Sequence, residues 1–292
     1  MATAKTVSVA GLTLSGADAG NYTVTQPTTT ADITAKALTV IGATAATKIY
    51  DQNATATLSF GGAALVGIIS PDDVTLLSGA ATGTFADANA GRNKAVTITG
   101  LSLFGTDSVN YSLTQPRATA DITPAEAILT FSNLAYVYNG TPRAVTVTVT
   151  PGGVPLTVVY QTTGGGAPTD AGSYVVTANV TNPNYSGTAN QTLVIAKATQ
   201  TLTLNAPASA TLLTPVAVSA TASSNLPVTL AVTGPATLAG GQLTFTAPGT
   251  ATVTATQAGN ENYAPATATA TITSLGKLAQ SIAFAPLADR LS

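Results

Sequence analysis

The sequence predicts an all-β fold, a tandem array of small β-sandwich domains forming an elongated rod, and three observations predict it. Residues 5–34 match residues 94–123 without a gap at a step of 89, with 17 of 30 positions identical, so the chain repeats internally. Four Asn-Tyr pairs, Asn21-Tyr22, Asn110-Tyr111, Asn184-Tyr185 and Asn262-Tyr263, place successive tyrosines 89, 74 and 78 residues apart, the size of a small all-β domain rather than of a solenoid turn. Stretches such as Val145 to Thr150 alternate apolar and polar residues with period two, and no stretch of useful length has helical periodicity.

Composition narrows the classes further. Hydrophobic residues make up 45% and charged residues only 8%, the reverse of the balance that keeps a chain disordered. The surface is therefore expected to be polar but uncharged, and threonine suits it, with a β-branch for the pleat and a hydroxyl for water. A net charge of −2 with no basic run argues against a nucleic-acid partner. The longest apolar runs are far shorter than the roughly 20 residues that cross a bilayer as a helix, so membrane insertion is not expected either. Without cysteine there are no disulfides and no thiolate metal sites. Met1 is the only methionine, and the residues after it lack the pattern of a signal peptide. It is read as a start placed before a fragment.

Taken in order, residues 1–35 form the C-terminal part of a truncated repeat, with Val7 and Val9 alternating as Val96 and Ile98 do. This partial domain is expected to be poorly ordered unless it packs on its neighbour. Residues 36–124 form a complete repeat. It opens with Leu38-Thr39-Val40, continues through Lys48-Ile49-Tyr50-Asp51 and an alternating strand from Ala54 to Phe60, and turns at Ser70-Pro71-Asp72-Asp73 and again at Phe85 to Gly91. Residues 125–197 carry a turn at Tyr138-Asn139-Gly140, a Gly164-Gly165-Gly166 connection, and a strand with Tyr174, Val176, Ala178 and Val180 on one face. Residues 198–276 place Val216, Val218, Ala220 and Ala222 on one face and end on a strand lined by Ala266, Ala268, Ala270 and Ile272. Residues 277–292 begin a further truncated repeat, since Lys277, Gln280 and Ile282 echo Lys197, Gln200 and Leu202 at a step of 80.

Several of these motifs, in this order, resemble known repeats. Lys48-Ile49-Tyr50-Asp51, Phe85 with Asp87, Asn89-Ala90-Gly91, Lys94 and the Asn110-Tyr111 ending resemble the YDG repeat of large bacterial surface adhesins of the filamentous haemagglutinin kind. Gln52 stands where that repeat has glycine, so the turn there is not expected to use glycine's freedom at positive φ. Residues 125–197 resemble the MBG domain found beside YDG repeats, and residues 198–276 are similar to a bacterial immunoglobulin-like repeat. The resemblance implies immunoglobulin-like sandwiches, a location at the bacterial cell surface or outside the cell, and a part in cell adhesion.

Candidate chemistry is sparse. Histidine and cysteine are both absent, which removes the usual triads, Cys nucleophiles and almost all zinc sites, and no paired carboxylates are seen to converge. The chain is therefore not expected to be an enzyme, and neither catalytic nor cofactor-binding residues are assigned. Calcium is the better chemical candidate, with Asp107 and Asn110, and Asp18 and Asn21 in the earlier copy, as oxygen ligands at domain ends. Turn formation by the same residues is preferred, because calcium takes six to eight oxygens and each site names only two or three. A Lys to Asn amide at Lys48 or Lys94, with Asp51 or Asp87 nearby, is less expected than lysines that reach to solvent. The repeated tyrosines are read as rings packed on the core with hydroxyls tied to backbone, in preference to a sugar-stacking surface.

The expected role is a structural stalk or spacer, a monomer whose partners are the adjacent repeats of the same protein, projecting a distal binding domain from the cell. The connections at Thr34 to Ala37, Thr123 to Ala125 and Ala196 to Ala198 are too short for flexible tethers. The rival reading is a ligand-binding module that contacts a host glycan, a matrix protein or a sister copy, for which residues 61–73 are the candidate loop.

Overall fold

The structure is a computed structural model and describes residues 1–276. The expected start of another repeat at 277–292 lies outside the described residues. Strands and short connections make up the described chain, and its only helical pieces are two single-turn 3-10 segments, Ala19–Asn21 and Ser108–Asn110. It divides into two compact units. Among the described residues, the first holds 1–128, 150–156 and 180–187, and the second holds 129–149, 157–179 and 188–276.

In the first unit, residues 36–124 build two larger facing sheets and two further two-stranded pairs. Five strands run in the order Lys48–Ile49, Arg117–Thr123, Gly91–Thr99, Thr82–Phe85, Thr55–Ala56, and three in the order Tyr111–Thr114, Lys36–Ile41, Ala64–Val66. Alternation drives the packing: Val96 and Ile98 of the long Gly91–Thr99 strand are fully buried, with Thr97 and Thr99 exposed between and after them. Val40 from the smaller sheet meets Ala56, Phe85, Val96, Ile98, Ala120 and Ile122 in one core. The alternating Ala54 to Phe60 segment does not form one strand. Thr55–Ala56 pairs with Thr82–Phe85 while Leu58–Ser59 pairs with Thr44–Ala45, so it changes sheets midway and keeps its inward face throughout.

Residues 1–35 form an antiparallel hairpin, Ala2–Ser8 with Thr28–Ile33, that copies Gly91–Thr99 with Arg117–Thr123 in detail. Ala2 pairs with Ile33 and Lys5 with Ala31 around a bulge, as Gly91 pairs with Ile122 and Lys94 with Ala120. Asp32 accepts the Ala4 N–H at 2.7 Å as Asp121 accepts that of Asn93, also at 2.7 Å. Gln26 and Leu12 exchange hydrogen bonds as Gln115 and Leu101 do. What differs is cover. Val9 is 37% exposed where its counterpart Ile98 is 0%, because the copy faces Val40, Ala56 and Phe85 and the hairpin has no counterparts of these.

The turn after Tyr50 corrects the expectation drawn from Gln52. Its φ is +69°, in the left-handed region that glycine enters freely. The conformation is held from both sides. Asp51 accepts the Asn53 N–H at 3.1 Å, and Lys48 Nζ donates to the Asn53 carbonyl, the Asn53 side chain and the Thr55 carbonyl.

In the second unit, a sheet ordered Ala135–Val137, Thr188–Ala196, Gly172–Val180, Leu156–Tyr160 surrounds a core of Tyr160, Val176, Leu193 and Ile195. Val176 and Ala178 are buried with Tyr174 and Val180 half-buried, the face the alternation predicts. Residues 198–276 place Ser209–Thr211, Ala266–Leu275, Thr250–Gln257 and Thr229–Thr233 in one sheet and Val216–Ala217, Gln242–Phe245 and Ala236–Ala239 in another. Phe245, Leu243, Val253 and Ile272 are buried between them, and Val218, Ala222 and Ile272 lie inward as their spacing predicts. Where charge is lacking, amides fill the polar interior: Gln200 Nε2 donates to Gln257 Oε1 and to the Ala264 carbonyl, each at 2.7 Å.

Burial at equivalent repeat positions gives a paired test. Ile98→Ala is expected to cost about 2–5 kcal/mol in denaturant unfolding followed in the first unit. Val9→Ala, its counterpart at a step of 89, is expected to change stability by no more than about 0.5 kcal/mol.

Candidate interface between repeats

The Asn-Tyr loops are built locally. In Asn182-Pro183-Asn184-Tyr185 the Asn182 side chain accepts the Asn184 N–H at 2.9 Å, and Asn260 does the same for Asn262 at 2.8 Å, an Asx turn in each case. Asn110 is held by a backbone bond from its N–H to the Asp107 carbonyl at 3.0 Å. Three of the four tyrosines pair in parallel with the first residues after a connection: Tyr111 with Lys36, Tyr185 with Ala125, and Tyr263 with Ala198. This register delivers these three loops to the seam between successive modules.

At that seam one asparagine holds three groups. Asn184 Oδ1 accepts the Ala90 N–H at 2.8 Å, its Nδ2 donates to Asn89 Oδ1 at 3.0 Å, and its carbonyl accepts the Ala125 N–H at 3.0 Å. All of these lie within the first unit. Within the second unit, Asn262 Oδ1 accepts the Ala171 N–H at 2.8 Å, Nδ2 donates to Asp170 Oδ1 at 3.0 Å, and its carbonyl accepts the Ala198 N–H at 2.9 Å. The following tyrosine adds an aromatic contact. Tyr185 meets Tyr50 edge-on at 5.4 Å and 80°, and Tyr263 meets Tyr138 at 5.4 Å and 79°. Edge-to-face pairs of this kind contribute roughly 0.5–1.5 kcal/mol. A third copy shows part of the same arrangement: the Met1 ammonium donates to Asn110 Oδ1 at 3.1 Å.

Lysines set the donor side of the first clasp. Lys94 Nζ reaches Asp87 Oδ1 at 2.6 Å, and the same oxygen accepts the Asn89 N–H at 2.8 Å, which fixes the loop that presents Ala90. Lys48 pairs with Asp51 at 2.7 Å beside Tyr50. The Lys94 and Lys48 side chains are largely covered, which corrects the expectation that they reach to solvent. Their ammonium groups spend their donors on loop oxygens. Hydrogen bonding from Lys94 holds the Asp87 carboxyl below its ordinary 3.8, and Lys48 does the same for Asp51.

The calcium candidates are placed as follows. Asp107 accepts the Asp73 N–H at 2.9 Å, and Asn110 receives the Met1 ammonium. Asp18 precedes the Ala19–Asn21 turn as Asp107 precedes Ser108–Asn110, and Asn21 closes it. Among the described residues, no three His, Cys, Asp or Glu side chains group as metal ligands. The tyrosines divide. Tyr111 is buried, its hydroxyl accepts the Ile69 N–H at 3.0 Å and donates to Asp72 at 2.7 Å, and that donation raises its pKa above 10.0. Tyr185 and Tyr263 instead turn to the tyrosine of the preceding module, and Tyr22 is 71% exposed. Sequence reasoning preferred turn formation for Asn110 and Asn21, with calcium as the lesser candidate, and did not see the clasp. The available signal was that Asn-Tyr recurs in step with Asn89-Ala90-Gly91 and Asp170-Ala171-Gly172.

Two variants separate the clasps. Asn184→Asp keeps the acceptor for Ala90 and faces the Asn89 amide, which can rotate to donate. Asn262→Asp sets a carboxylate against Asp170, so it is expected to destabilise more near neutral pH, with the difference closing in acid as one carboxyl takes a proton. Thermal unfolding of both variants across pH checks this.

The lysine clamps predict a second pH effect. Because the folded pKa of Asp87 is depressed, its contribution is present above 3.8 and is lost as pH falls below that value. Lys94→Met is expected to flatten this acid limb, read as the midpoint of denaturant unfolding against pH.

Comparison with known proteins places these modules. A family model described as the YDG domain matches residues 34–120, and one described as the MBG domain matches residues 127–199. No curated protein matches the sequence. Among solved structures the chain is similar to three immunoglobulin domains of titin, I67–I69 in an E-to-A variant, at 8% identity and a TM-score of 0.29, covering 80% of this chain and 96% of that one. It is similar to the N-terminal eight Ig domains of Down Syndrome Cell Adhesion Molecule at 11% identity and a TM-score of 0.31, covering 86% of this chain and 38% of that one. For the S-layer protein SbsC the values are 15% and 0.23, covering 82% and 41%. The chain thus spans less than half the length of the latter two structures. Along the chain the stretch similar to the YDG domain therefore comes first and the stretch similar to the MBG domain second.

Proposed function

We propose that this chain is a stalk segment of a bacterial cell-surface adhesin, a spacer that holds a distal binding domain away from the cell. The observation that supports this reading is the repeated clasp. Consecutive modules are joined by one to five residues between strands, a single residue from Thr123 to Ala125, and a carboxamide from the second module grips the backbone of the first. A connection of that length cannot act as a free hinge while the clasp is closed. Transmission of load then needs no catalytic or ligand chemistry, in keeping with a sequence that lacks histidine and cysteine and carries few charges. Among the described residues no helix is long and apolar enough to cross a membrane.

Backbone relaxation tests the reading directly. Amides at 34–36, 124–125 and 196–198 are expected to show order parameters near 0.85, as rigid strands do, and values below 0.6 would sink the stalk. Asn184→Ala is expected to lower the order at 124–125 and to cost about 1–2 kcal/mol at that junction. Saturable binding of the labelled chain to a glycan array, to host cells or to itself would replace the spacer with a binding module.

A further inference from the structure

The clasp has two halves carried by successive modules, and the sheet registers show which modules own each half. The acceptor half is the Asn-Tyr loop. The donor half is a glycine that opens a long strand, the N–H of the residue before it, and a tyrosine reached through the same sheet. Gly91 pairs with Ile122, Ile122 with Lys48, and Tyr50 stands two residues on. Gly172 pairs with Ile195, Ile195 with Tyr136, and Tyr138 stands two residues on. The same path through residues 198–276 begins at Gly249, whose carbonyl accepts the Ser274 N–H at 2.8 Å. Ser274 pairs with Ala210, and two residues on is Leu212.

The third module therefore lacks the donor half. Pro248 stands where Ala90 and Ala171 donate, and proline has no N–H to give. Leu212 stands where Tyr50 and Tyr138 present a ring, so no edge-to-face pair can form there. Residues 36–124, by contrast, hold Tyr50 with Asn89-Ala90-Gly91 at one end and the Asn110 carboxamide at the other, with the Tyr111 ring buried in its own module. The step of 89 puts Met1 at the place of Ala90, and it is Met1 N that donates to Asn110 Oδ1. Asn110 is thus already engaged by a group in the donor seat.

We infer that the clasp is an ordering code among modules. The Tyr50 and Ala90 end of residues 36–124 is a docking surface for the Asp107–Tyr111 loop of a second copy of the same module, as it is for Asn182–Tyr185. The corresponding end of residues 198–276 does not receive an Asn-Tyr loop. This goes beyond the stalk and rests on the junction geometry alone, so the inference stands or falls independently of what the whole protein projects.

Two insertions into the full-length chain, each placed after Pro124, test it. The first adds a second copy of residues 36–124, and the second adds a copy of residues 198–276. In the first, amide hydrogen exchange at Ala90 of the leading copy is expected to be at least tenfold slower than after Asn110→Ala in the trailing copy. Equal exchange with and without that substitution overturns the docking surface. In the second, the new junction at Gly276 and Ala125 is expected to be mobile in backbone relaxation, and Pro248→Ala with Leu212→Tyr in the inserted copy is expected to restore order. A junction as rigid as the native Pro124 one without those substitutions overturns the code, and so does a failure of the pair to restore order in a chain whose modules all give folded spectra.

Discussion

A primary carboxamide offers a donor and an acceptor in one fixed plane, and at Asn184 and Asn262 both ends are used on the neighbouring module while the main-chain carbonyl ties down the connection. The rest of each junction is arranged around that group. The Asx turns at Asn182 and Asn260 aim it, and the parallel pairings of Tyr185 with Ala125 and Tyr263 with Ala198 carry it to the seam. Lys94 and Asp87 fix the first loop it reaches. A neutral amide suits a chain of low charge. It needs no ion pair, so screening by salt takes little from it.

Within modules the organising constraint is different. There are no disulfides, and ion pairs are few among the described residues, so each sandwich is held by small apolar cores such as Val40 with Phe85, Val96 and Ile98. The hairpin of residues 1–35 shows what such a core supplies. It keeps the bulge, the Asp32 bond and the Gln26 exchange of its copy, all local features, yet its valines stay open because burial comes from strands distant in sequence. Local hydrogen bonding and core burial are therefore separable in this repeat.

Gln52 illustrates how context overrides residue preference. Read alone, a glutamine in place of glycine argues against a left-handed turn, but Asp51 and Lys48 supply enough bonds to the loop for φ to reach +69°. Ala54 to Phe60 makes the same point for strands. Its alternation names the inward residues correctly, while the change of partner between Ala56 and Leu58 depends on which edges are near.

The sequence by itself determined the all-β class, the repeat at a step of 89, the inward faces at Val96, Val176, Val218 and Ile272, and the shortness of the connections, because period, identity and spacing are properties of the linear chain. Only the tertiary structure decided what the Asn-Tyr pairs do. Asn184 and Ala90 are 94 residues apart, Asn262 and Ala171 are 91 apart, and nothing local distinguishes a carboxamide that starts a turn from one that also grips the preceding module. That distinction arises when a parallel register brings the loop of one sandwich against the strand opening of another, where an unpaired N–H awaits an acceptor.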